Sequence, residues 1–344
     1  MPRKHFSIYF ISILIGFLLL LLFTLPKKQV VKKKTKGESI TFILGIDKHP
    51  DNPFYRYAAN YYRFNAKDKT ELVITSCRSL LEVHNYLIRY KPKNKVPWRC
   101  INLVSHGNQY LGLSVKVTPN SKRASAQEIW KYCNNGTLKK LPEDVINKQT
   151  IIALHGCGLG NNKNLIKAVR SAFSTHKAIP KIEASTYFEY YVAKPNNMQK
   201  VTRFLAKSYS INFKMGYKPS NKIIERRFKA KYKNDSIAWH TALNRKQASK
   251  MGAVFNMSFN VPVKWVFTYD SLKAVPNLDT KSKRLNWVRQ NTTIMSDLQK
   301  IAIPPQKFNW WMRRIYIKEK DDTKVAALWI KGYSTSFNIL KIVE

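Results

Sequence analysis

The chain has 344 residues, 61 of them Lys or Arg against 20 Asp or Glu, for a formal net charge of +41. A hydrophobic fraction of 44%, with 18 Tyr, 17 Phe and 8 Trp, supplies ample core material and excludes a chain disordered throughout. The four cysteines (Cys77, Cys100, Cys133 and Cys157) are scattered with no CxxC pair, which excludes a disulfide framework and any strong zinc spacing. So basic a surface attracts anions. The lysines are spread evenly rather than gathered in one tract, which reads first as a solvated surface, with anionic membrane lipid as a partner. Charge also admits nucleic acid, which is not the favoured partner because no aromatic-rich RNA-binding strand motif stands out.

Residues 6–25 (FSIYFISILIGFLLLLLFTL) carry no charge and are long enough to cross a bilayer as a helix. Arg3 and Lys4 precede the run; Lys27 and Lys28 follow it. No small-x-small cleavage site follows, so the segment reads as an uncleaved single-pass anchor rather than a signal peptide. Residues 26–38 read as a basic linker. Its lysines lean toward a cytoplasmic body, a common signal-anchor would place the body outside, and the charges leave the side open.

From residue 39 short apolar runs alternate with helical patterns. Strands are expected at 40–46, 71–75, 100–105, 150–154 and from 181, with an alternating hairpin arm at 111–117. Helices are expected at 53–64, 79–90, 126–133 and 162–173. This alternation predicts an α/β domain over 39–195, a mostly parallel sheet flanked by helices. Residues 197–250 hold fourteen Lys or Arg and only Glu225 and Asp235 as acids, in a pattern read as largely helical. Strands then follow at 253–270, 310–318 and 324–330, the last two paired. Residues 196–344 thus read as a basic α+β C-terminal region.

Two loops carry the chemistry. Val104-Ser105-His106-Gly107-Asn108 follows the third strand, and Leu154-His155-Gly156-Cys157-Gly158 follows the fourth. Parallel sheets build sites at the carboxyl ends of their strands, so His106 and Cys157 are expected on one rim. A thiolate attacks a carbonyl; an imidazole in reach takes its proton and returns it to the leaving amine. Gly107 and Gly158 let backbone N–H groups approach a developing oxyanion. A dinucleotide loop would need Gly at 161, where Asn stands, and the hydrolase elbow would need Gly at 155, where His stands. His155 reads as a polar strand-end residue. No metal and no cofactor is expected.

An apolar strand leading to Ser-His-Gly, then an apolar strand leading to Gly-Cys-Gly, resembles the caspase-like cysteine peptidases. His106 and Cys157 are 51 positions apart, and the caspase histidine lies about 50 residues before the nucleophile. Ser105–Val117 (SHGNQYLGLSVKV) resembles the family's His loop, which is followed by a short hairpin. Phe42–Asp47 (FILGID) resembles the first strand of bacterial caspase-like, gingipain-like proteins. The resemblance covers about 39–195. It implies His106 as base, Cys157 as nucleophile, and Gly107 with the Cys157 N–H as oxyanion donors. It also implies substrate contacts from Asp47, after the first strand, and from Ser185 and Tyr187, where Glu183–Tyr187 leads into the family's cleft. Two departures stand out: His155-Gly156 occupies the place of the caspases' Gln-Ala, and no caspase-type Arg signature for an acidic substrate residue is present. The expected activity is that of a membrane-anchored cysteine endopeptidase acting on a protein or peptide. The alternative is a non-catalytic, basic, membrane-bound adaptor with a peptidase-like fold.

Overall fold

Short apolar runs pair as the alternation predicts. Strands β1 (Ser39–Ile43), β2 (Leu72–Ile74) and β3 (Cys100–Val104) are followed by a small sheet of β4 (Gly107–Asn108), β5 (Gly112–Lys116) and β6 (Arg123–Ala124). Then come β7 (Ile151–His155) and β8 (Lys181–Ala184). The five longer-range partners form one sheet in the order β2-β1-β3-β7-β8, every pair parallel. The computed structural model describes residues 37–49, 52–66, 72–92, 95–246, 251–318 and 322–343. The uncharged run 6–25 and the linker as far as Lys36 lie outside these residues. Among the described residues no helix is long and apolar enough to cross a membrane.

The central strands β1, β3 and β7 of the parallel sheet are buried on both faces, which is why they are rich in Ile, Leu and Val, whereas the edge strands β2 and β8 are only partly covered. Helices α1 (Pro53–Asn60), α2 (Leu80–Arg89), α3 (Ala126–Asn134) and α4 (Lys163–Ala172) cover it. Ile40, Phe42, Leu103 and Leu154 meet Leu80, Val83, Leu165 and Val169 on one side. Ile43 and Val104 meet Tyr55, Ala58 and Tyr62 on the other. Each fully buried Ile, Leu, Val or Phe among them contributes about 1.5–3 kcal/mol on burial. Local signals start the helices: Asn52, Ser79 and Asn162 each accept a backbone N–H in the first turn. Glu38, assigned from sequence to the linker, is buried, and its carbonyl accepts the Arg99 N–H at 2.8 Å.

The C-terminal half corrects one expectation. Residues 197–214 are not helical: they form the 18-residue strand β10 (Asn197–Lys214). Only α5 (Asn221–Lys231) and α6 (Trp239–Leu243) are helical within 197–246. Lysines and arginines favour helix and mask the period-two pattern. The ladder comes from a strand far along the chain, Ala206 opposite Ile342 through Lys214 opposite Ser334. This antiparallel half-barrel begins earlier than residue 196, with β9 (Phe188–Lys194). It adds β11 (Val254–Tyr269), β12 (Asn309–Lys318) and β13 (Lys324–Ile342), in the order β11-β13-β10-β9 with β12 beside the first half of β13. The expected pairing of 310–318 with 324–330 is present. Helices α7 (Lys281–Gln290) and α8 (Thr292–Lys300) pack on one face of this sheet.

Candidate active site

Val104 stands opposite His155 in the parallel ladder, so His106 and Cys157 each lie two residues beyond one register pair. Their loops touch. The Ser105 N–H donates to the His155 carbonyl at 3.0 Å. A Cβ at Gly156 would come within 2.6 Å of the Ser105 carbonyl oxygen, and one at Gly107 within 2.9 Å of the Gly112 oxygen. The buried Leu159 side chain lies beneath both glycines. Only residues without a side chain allow the loops to close this tightly.

The His106 imidazole turns toward α1. It stacks on Phe54 with ring centres 4.0 Å apart, and Tyr55 meets it edge-on at 5.2 Å. Its Nε2 lies 3.5 Å from Asn52 Nδ2 and 4.0 Å from Asp47 Oδ2. Asp47 in turn accepts from Tyr55 Oη and from Ser114 Oγ at 3.1 Å. Burial holds the imidazole below its ordinary value of 6.5; Asp47 opposes that, and Arg123 adds to it. His106 is therefore neutral at pH 7, the state a base requires. Arg123 is fixed by the carbonyls of Leu113 and Gly112, each at 3.1 Å.

The Cys157 thiol turns the other way, toward the half-barrel. Sγ lies 3.9 Å from the Glu189 carbonyl oxygen and packs with Phe188, Phe255 and Leu340. Burial pushes the thiol up from 9.0 to about 12. Among the described residues no hydrogen bond joins His106 to Cys157; the imidazole and the thiol each have other partners. The loops are brought together and the two reactive atoms are not engaged.

Gly158 sits at φ +66. Its N–H donates to the Tyr187 carbonyl at 2.9 Å, and the Gly160 N–H to the Ser185 carbonyl at 2.9 Å. The Gly158 donor expected at the oxyanion is thus committed to the 185–187 segment. Ser185 Oγ accepts the Tyr187 N–H at 2.9 Å. Tyr187 lines a cleft of about 380 Å³ with Asn108, Gln109 and Asn161, at the mouth between the two loops and β10. Asp47 lies apart from that cleft, on the α1 side of His106.

His155 belongs to a buried polar cluster. Its Nε2 is 3.0 Å from Asn102 Oδ1, and its Nδ1 is 3.4 Å from Glu189 Oε2. Arg203 Nε reaches the same Glu189 oxygen at 3.2 Å, and Tyr191 Oη at 3.4 Å. Burial would raise the Glu189 carboxyl, but His155 and Arg203 outweigh it and hold the group below its usual range. Sequence reasoning missed Glu189, Arg203 and Arg123. Nothing local marks them, because each meets its partners only through the fold. Asn52 and Phe54 had a signal, since Asn-Pro followed by an aromatic run announces a helix start after the first strand. Among the described residues no group of three or more His, Cys, Asp or Glu is placed to hold a metal ion.

No family model matches the chain, and no curated protein and no solved structure matches it.

Proposed function

We propose that this chain is a cysteine endopeptidase of the caspase-like kind, held in a membrane by residues 6–25, with His106 as base and Cys157 as nucleophile. One observation carries the reading: two glycine-flanked loops, one bearing His and the other Cys, leave adjacent parallel strands at equivalent positions past Val104 and His155. The small sheet directly after His106 supports it, since the resemblance expects a hairpin there. The neutral imidazole takes the thiol proton, and the thiolate attacks the scissile carbonyl carbon. The proton passes to the departing amine, leaving a thioester on Cys157. Water, deprotonated by the same imidazole, cleaves the thioester and restores the thiol.

In this reading the conformation described above is a resting one. Cys157 must leave its place against the apolar cluster of Phe188, Ala206, Phe255, Leu340 and Ile342 and turn toward His106 before chemistry begins. That same burial favours a second reading, a non-catalytic adaptor in which Cys157 is a small core residue. Peptide-library hydrolysis by the full chain decides between them. Cleavage should be abolished in Cys157→Ala with the fold intact. A Cys157→Ala protein that cleaves at an undiminished rate overturns the peptidase reading. If wild type is silent, alkylation distinguishes the two. A peptide-mimicking chloromethyl ketone that labels Cys157 ahead of Cys77, Cys100 and Cys133 supports the peptidase; indifference to the peptide part supports the adaptor.

A further inference from the structure

The half-barrel has two faces, and one is covered along β13 itself, though Arg314 and Tyr316 on the edge strand β12 are exposed on it. On β13 the even-numbered Ala326, Leu328 and Ile330 pack with Val288 of α7 and Leu298 of α8. Further along the same face, Leu340 and Ile342 pack with Phe188 and Cys157. The odd-numbered face is covered where Phe337 and Ile339 meet Phe228 of α5 and Trp239 of α6. Toward the other end of β13 it is open: Trp311 and Val266 are each 41% exposed, and Arg313 and Lys264 are exposed as well.

The register arranges this open half in rows across three strands. Lys264, Lys331 and Trp311 form one row, and Val266, Trp329 and Arg313 the next. Lys331 Nζ sits 4.4 Å over the Trp329 ring, and Trp311 meets Tyr333 edge-on at 5.2 Å. Ile315, Ile317 and Val325 continue the face, each half-buried. Strands β11, β12 and β13 contain no Asp or Glu.

We propose that this open face of the half-barrel seats on the surface of an anionic phospholipid bilayer. The cations answer lipid phosphates and carboxylates, a contribution that falls off within a Debye length of the surface. Trp and Tyr are the rings that favour the headgroup level, one side apolar and one side wet. The aliphatic residues decide against a nucleic acid. Val266, Ile315 and Ile317 find nothing to bury against on bases and phosphates, whereas the headgroup–acyl boundary accepts them beside the rings. On the membrane anchoring proposed above, the uncharged run 6–25, long enough to span a bilayer, keeps the rest of the chain within reach of one.

The test uses full-length protein reconstituted into vesicles of phosphatidylcholine alone or mixed with phosphatidylserine, with hydroxyl-radical oxidation of Trp311 read by mass spectrometry. Oxidation should drop several-fold on the anionic vesicles and return in high salt, while Tyr217, 59% exposed elsewhere, stays unchanged. The double variant Lys264→Gln/Arg313→Gln, confined to exposed side chains, should restore oxidation on anionic vesicles. Equal oxidation of Trp311 on both vesicles, or undiminished protection in the double variant, overturns the proposal. Protection by a single-stranded oligonucleotide with none from anionic vesicles also overturns it, in favour of a nucleic acid surface.

Discussion

Gly156 lies so close to Ser105 that a Cβ on the glycine would sit 2.6 Å from the Ser105 carbonyl oxygen. The obstacle is backbone, which cannot swing aside as a side chain would. Gly156→Ala should therefore part the His106 and Cys157 loops and cost about 1–3 kcal/mol of stability. Thermal unfolding checks the cost. Peptide cleavage, where present, should fall by more than the stability loss explains.

The Cys157 thiol, pushed up to about 12, makes a signed prediction in alkali. The folded chain holds this proton where the unfolded chain has released it. Its contribution to stability is whole below pH 9 and is lost as pH rises toward 12. Denaturant midpoints measured from pH 8 to 11 should fall more steeply for wild type than for Cys157→Ala, the difference isolating this group from the tyrosines.

Glu189 gives the opposite sign. Its carboxyl is held below the usual 4.5, so its contribution is present above that value and is lost as pH falls through the lowered folded value. The side chain is 1% exposed and shared by His155 and Arg203. Glu189→Ala should cost about 3 kcal/mol, since it strands a partly buried guanidinium. Acid titration of stability should be shallower in Glu189→Gln than in wild type.

His106 is neutral at pH 7 because burial outweighs the pull of Asp47. On the peptidase reading, the acid limb of kcat/KM should lie below 6.5. Asp47→Asn removes the one influence that raises the imidazole, so the limb should move further down. His106→Ala should lower kcat/KM by about 100-fold or more. The pH–rate profiles of the two variants against wild type check both statements.

The sequence by itself determined the parallel sheet and the rim on which the two loops meet. Apolar runs at 40–46, 100–105 and 150–154 suit strands buried on both faces, and glycines beside His106 and Cys157 announce tight loops at their ends. Those signals are local, carried by composition and spacing within a few residues. Only the tertiary structure decided the rest. Residues 197–214 became a strand because β13, more than a hundred residues later, offered a ladder that outweighed the helix preference of its lysines. The directions of the His106 ring toward Phe54 and of the Cys157 thiol toward Phe255 were also decided by packing. So was the meeting of Glu189 with His155 and Arg203, polar groups brought from three strands that offset the burial of the Glu189 carboxylate only once all three are in place.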